Sequence, residues 1–363
     1  MTEFPPLARV PMAILGIVSL VAGVLSGLAR LGWEMPSLAV NAVGVHGALM
    51  VSAFFGTVIS LERAVAIGRR WTYQAPVAAG TSGIAMLGGA TLLSQSLSIY
   101  AALVMVAANI HVLRRLTAPF TIVLASGALC WLLGVITWMG TASPGAATPW
   151  WFSFLVLTIA GERLELNRFI PTPKLAQQVF YAIVCAVFIG AAVSLFDEAV
   201  GLVVFSFALL SMAVWLLRYD IAWRNARRDG LPRFIAACLL SGYAWLGVAG
   251  ALGMGGGFAP GDPWRDSTLH AIGLGFVFSM VFGHAPIIFP AVARVKIPYH
   301  AILYCPLLAL HATLLIRVWG GLSNDFPLRR FGGLANALAL LLFFVVLALG
   351  VRKGMQVSTE KSD

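Results

Sequence analysis

Apolar runs of about 20 residues recur along the whole chain, and no other feature constrains the fold as strongly, because roughly 20 such residues make one membrane-spanning helix. Twelve runs can be counted, approximately 10–30, 38–61, 74–94, 96–113, 119–140, 149–166, 176–196, 198–217, 233–254, 267–291, 299–319 and 331–351. No connection between them is long enough for a soluble domain. The expected fold class is therefore an all-α integral membrane protein of twelve transmembrane helices, one polytopic domain over residues 1–363. Helices are the natural form for such runs, because lipid offers no partner to an unsatisfied backbone group. Composition agrees: 60% of residues are apolar and 10% charged, against about 25% charged in a soluble domain. That excludes a water-soluble enzyme and a disordered chain. The net charge of +10 does not point to nucleic acid, because the basic residues flank the apolar runs.

With the N-terminus inside, the inner segments carry nineteen Lys and Arg, from Arg9 through Arg63, Arg163 and Arg228 to Lys296 and Lys361. The outer segments carry five: Arg30, Arg265, Arg317, Arg329 and Arg330. This positive-inside bias predicts a multi-pass protein of a bacterial-type inner membrane with both termini cytoplasmic. The start Met-Thr-Glu-Phe-Pro-Pro lacks a basic leader region, so the first run reads as a retained helix. Trp138, Trp150, Trp151, Trp264 and Trp319 fall near outer helix ends, where an aromatic belt is expected. Cys130, Cys185, Cys238 and Cys305 form no C-x-x-C pattern, which argues against covalent haem attachment and against disulfides.

The ionisable residues inside the membrane divide by type. All fourteen acids, including Glu360 and Asp363, fall at helix ends or in loops, whereas ion-coupled transporters usually keep a carboxylate near the midplane. All six histidines fall within the apolar runs. An ionisable side chain there costs roughly 2 kcal/mol or more on insertion scales and is a functional candidate, and neutral imidazole is the commonest metal ligand. His46, about one-third into helix 2, shares the outer level with His270 and His311, while His284, His300 and His111 lie deeper or near the cytoplasmic ends. At 100° per residue, His270 and His284 fall within about 40° of one helix face and His300 and His311 within about 20°. His111 and His300 read first as hydrogen-bonded residues at helix interfaces. His284 and His311 are candidates for a further cofactor site, and His284, His300 and His311 for a metal ion. Met50 and Met280 could add soft copper ligands, although a methionine in a membrane helix is more often packing.

Two motifs carry a resemblance. The run His46-Gly-Ala-Leu-Met50 resembles the second helix of haem–copper oxidase subunit I, where a similar His-Gly-x-x-Met supplies a haem ligand. Leu269-His270-Ala-Ile-Gly through Gly283-His284-Ala-Pro is similar to the tenth helix of the same superfamily, and more so to the NnrS group of twelve-helix haem- and copper-containing membrane proteins. The resemblance implies a haem–copper-oxidase-like fold and a b-type haem held between His46 and His270 as axial ligands, with a second haem or a copper ion as an extension. It also implies membrane electron transfer from a donor the sequence does not name, or handling of nitric oxide or another diatomic gas in nitrosative-stress tolerance. Oxidases take three further histidines from helices 6 and 7, and here those helices contain none, so a proton-pumping oxygen reductase is not expected. His300 and Tyr304 have the His-x-x-x-Tyr spacing of the oxidase copper site, but on helix 11, and that role is not carried over.

A weak internal repeat sets Ile59-Ser-Leu-Glu62-Arg63 beside Ile159-Ala-Gly-Glu162-Arg163 and Val281-Phe-Gly-His284-Ala. Its spacing of four helices would suit threefold pseudo-symmetry. Glu62-Arg63 and Glu162-Arg163 read first as interfacial ion pairs that fix helix ends. The alternative from another functional class is a twelve-helix transporter with a histidine-based site for substrate, metal or protons.

Overall fold

The computed structural model describes residues 3–168, 172–295 and 297–359. Lys296, Glu360, Lys361 and Asp363 lie outside the described residues. Helix occupies every apolar run, and no strand occurs among the described residues. We number the long helices α1 (Pro6–Arg30), α2 (Val43–Ile67), α3 (Gln74–Leu87), α4 (Thr91–Leu113), α5 (Pro119–Thr141) and α6 (Thr148–Asn167). There follow α7 (Lys174–Val193), α8 (Glu198–Tyr219), α9 (Leu231–Gly257), α10 (Arg265–Pro290), α11 (Ala301–Leu322) and α12 (Phe326–Arg352).

Ten of these are long and apolar enough to cross a membrane. The exceptions are α3, whose 14 residues reach only about 21 Å at 1.5 Å per residue, and α6, which carries Glu162, Arg163 and Glu165 in its last turns. The outward faces of the ten stay apolar, with Leu92, Phe207, Leu308 and Leu315 all more than half exposed. Lipid accepts such a surface where water would not. The buried share of a span ranges from 33% in α12 to 67% in α10, so the helix carrying His270 and His284 is the most enclosed of the ten.

The chain separates into two compact units, Met1–Glu162 and Arg163–Asp363. In the first, α1 packs on α2 and α3, α3 and α4 form a hairpin, and α4 leads to α5. Trp131 of α5 stacks on Phe154 of α6, with centroids 5.2 Å apart. Its indole Nε1 donates to Ser52 at 3.0 Å, so this large buried aromatic leaves no unmet donor. Gly134 leaves no room for a Cβ against Trp151, the close approach that small residues permit between membrane helices. Trp138, Trp150 and Trp151 are consequently buried and form no outer aromatic belt; Trp264 and Trp319 are exposed, as that role requires.

In the second unit, α7 with α8 and α11 with α12 form tight hairpins, and α9 packs against both α8 and α10. Asp197 caps α8 by accepting from the Val200 N–H at 3.1 Å. Gly250 of α9 lies against the Leu210 backbone. Phe282 of α10 stacks face to face on Phe343 of α12 at 3.8 Å.

Candidate functional site: two anchored imidazoles

Helix α2 is irregular where it carries its histidine. A 3₁₀ turn over Val43–Val45 leads into His46–Ala48, and Leu49–Phe55 then widens into a π-helix before α-helix resumes at Gly56. His46 is thus the fourth residue of the span Val43–Ile67. Its Nδ1 donates to the carbonyl of Gly23 in α1 at 2.7 Å, with the Ser26 hydroxyl 3.5 Å away. The contact depends on a missing side chain, because a Cβ at Gly27 would stand 2.9 Å from His46 Cε1.

Helix α10 repeats the device by other means. His270 is the sixth residue of the span Arg265–Pro290, and the π-helix Ala271–Phe278 begins immediately after it. Its Nδ1 donates to the carbonyl of Asp266 one turn earlier at 2.8 Å and lies 3.3 Å from that residue's carboxylate. Arg317 of α11 grips the carboxylate with Nε at 2.9 Å and Nη2 at 2.8 Å, the two-pronged geometry in which guanidinium and carboxylate pair best. A π-helical stretch is uncommon and often marks a functional site; here one follows each of the two histidines the sequence singled out.

A carbonyl oxygen can only accept, so in both neutral rings the proton sits on Nδ1 and the lone pair on Nε2. Proteins hold metal-ligating histidines in this way. His284 is set likewise, with Nδ1 2.7 Å from the carbonyl of Met280. His311 is set the opposite way. Its Nδ1 accepts from Trp245 Nε1 at 3.0 Å, which puts the proton on Nε2, a buried atom with no hydrogen-bond partner among the described residues.

His300 departs from the sequence reading. It precedes α11 with extended backbone, φ −144° and ψ 141°, and its Nδ1 accepts from the Ile302 N–H at 3.1 Å as a helix cap. It is exposed, so neither the face shared with His311 nor the helical spacing to Tyr304 exists. The common face of His270 and His284 also needs correction. Eight π-helical residues lie between them, and an i→i+5 ladder turns through less than 100° per residue.

Among the described residues, no three His, Cys, Asp or Glu side chains come together as a metal-holding group. The set His284, His300 and His311 is therefore not assembled, because one caps a turn, one accepts from an indole and only His284 has the ligating tautomer. The Met50 sulfur packs over Gly23 and the Met280 methyl over Gly242, both as packing. His111 meets the edge of Trp71 at 6.1 Å as an interface residue. All four cysteines are free.

A Cβ at Gly273, one turn after His270, would meet nothing within 4 Å, although Ile272 and Leu274 are buried. A Cβ at Gly47, next to His46, would meet only the Trp151 ring, at 3.9 Å. With Nδ1 tied to a carbonyl and the lone pair on Nε2, both rings fit the part of an imidazole ligand to haem.

Sequence reasoning missed the ion pairs. Arg163 pairs with Asp220 at 2.9 Å and not with its neighbour Glu162, while Glu62 lies within electrostatic reach of both Glu162 and Arg63. Arg163 and Asp220 stand 57 residues apart, so no local pattern joins them.

A bundle of apolar helices with outward faces suited to lipid defines a multi-pass helical membrane protein. Residues 9–352 match the family described as a domain of unknown function, DUF8744, and the chain belongs to that family. No curated protein matches it.

Proposed function

We propose that this protein is a haem-binding membrane protein, with His46 and His270 as imidazole ligands to a b-type haem. The observation that carries the reading is the shared setting of the two rings. Each is held at Nδ1 by a carbonyl, and each stands just ahead of a π-helical stretch. Haem, when bound, supplies one-electron redox chemistry and an iron that takes a diatomic gas such as nitric oxide. The chain's part is to orient both rings and to keep each lone pair on Nε2. The function we assign is membrane electron transfer or nitric oxide handling, in line with the resemblance to the NnrS group. His284 is the remaining ring in the ligating tautomer. A second haem or a copper ion would draw on it, without His300 or His311. With the proposal go twelve membrane crossings, both termini cytoplasmic, an inner-membrane location and the four-helix repeat of an oxidase-like fold.

The test is a reduced-minus-oxidised visible spectrum of the detergent-purified protein, with metal analysis of the same sample. Sharp b-type α and Soret bands are expected, and His46→Ala or His270→Ala is expected to remove most of the haem. A native spectrum in both variants would sink the ligand assignment. A colourless, metal-free protein after haem-supplemented expression would leave the histidine-based transporter as the better reading.

A further inference from the structure

The last turn of α8 and the link to α9 carry Arg218, Arg224, Arg227 and Arg228 within 11 residues. All four are exposed, and none makes an ion pair within 4 Å among the described residues. The two acids of the link are already engaged. Asp220 is buried against Arg163, and Asp229 pairs with Arg233 at 2.7 Å. A positive-inside bias accounts for the sign of the charge, but not for a link whose every acid is turned to other work.

The link is held in one shape. Asp220 accepts from Arg163 and from the Ala222 N–H, while Asn167 accepts from the Ile221 N–H at 2.9 Å. A short helix, Ala222–Asn225, and its continuing turns then carry Arg224, Arg227 and Arg228. Their i, i+3 and i+4 spacing sets them on one face. Trp223 is 53% exposed, and its Nε1 is tied to the Leu217 carbonyl at the end of α8, so an amphipathic ring is fixed at the end of an apolar helix, where a membrane interface falls.

We infer that this link is a binding site for the phosphate headgroup of an anionic phospholipid. Guanidinium groups match phosphate oxygens with paired hydrogen bonds, Trp223 sits at headgroup level, and the buried Arg163–Asp220 pair presets the platform. The lipid phosphate forms the ion pairs that the chain itself does not supply. The inference is independent of the haem proposal.

The experiment is native mass spectrometry of the full-length protein extracted from vesicles of phosphatidylglycerol or of phosphatidylcholine. The wild type is expected to retain phosphatidylglycerol selectively. The triple variant Arg224→Gln/Arg227→Gln/Arg228→Gln is expected to lose about a hundredfold in apparent affinity, at roughly fivefold per arginine near an anionic surface. Arg114→Gln/Arg115→Gln, at another exposed pair, is expected to retain wild-type binding. Should the triple variant not accumulate, Arg227→Gln/Arg228→Gln is measured instead, with a loss of about twenty-five-fold expected on the same scale. Retention within twofold of wild type, or equal retention of phosphatidylcholine, would overturn the proposal. Displacement of phosphatidylglycerol by equimolar glycerol phosphate would assign the site to a soluble phosphate and overturn the lipid.

Discussion

His46 and His270 reach the same end by opposite routes. The carbonyl that holds His46 belongs to another helix, 23 residues away, and is accessible only because Gly27 has no side chain. The carbonyl that holds His270 belongs to its own helix, one turn back, and the residue that offers it is locked by a guanidinium from α11. One ring is set by neutral close packing and the other by a charged clamp. The two should therefore fail differently.

The largest effect is expected at the clamp. Asp266→Ala strands Arg317, whose side chain is 8% exposed. Removing one partner of a fully buried pair costs about 3–5 kcal/mol; with Asp266 itself 23% exposed, about 2–3 kcal/mol is expected. Thermal unfolding in detergent checks it, and an unchanged midpoint would show that the clamp is not structural. Next comes the neutral side. Gly27→Val drives a side chain into the His46 ring, with an overpacking cost of about 1–3 kcal/mol. Haem absorbance per protein should fall while the fold survives. A variant with a full native Soret band would mean that the ring position at His46 does not matter.

Smaller is Ser26→Ala. The hydroxyl donates to the same Gly23 carbonyl at 2.9 Å, and its loss is expected to cost about 1 kcal/mol. The visible spectrum should not move, because His46 keeps its own bond to that carbonyl. The smallest effect is expected for His111→Ala, whose ring only edges Trp71. Its spectrum should match the wild type, and loss of haem there would break the division between anchored rings and interface rings.

The helices were legible because their cause is local. An apolar run closes its own i→i+4 hydrogen bonds, and its hydropathy is a sum over neighbours, so every run emerged as helix, although the one expected over 74–94 stops at Leu87 and its last residues open α4. The limits of that reasoning appear at His300. It lies inside an apolar stretch, yet the chain stays extended there until its Nδ1 caps the turn at Ile302. The same is true of phase along α10, since nothing in Ala-Ile-Gly-Leu-Gly-Phe-Val-Phe announces a π-helix. The burial of Trp138, Trp150 and Trp151 was also hidden, because proximity to a helix end says nothing about which neighbour covers the ring.

The residues worth examining were legible too, since an imidazole in an apolar run is costly wherever it falls. Which nitrogen carries the proton was not. For His46 that is decided by Gly23 on another helix, and for His311 by Trp245, 66 residues away. The partner of Arg163 is likewise Asp220 and not the adjacent glutamate. The sequence by itself determined a helical membrane protein and six histidines placed in or beside its spans. Tertiary structure decided which nitrogen of His46 and His311 carries the proton, because a ring's tautomer follows its hydrogen-bond partner, and for these two helix packing supplies that partner.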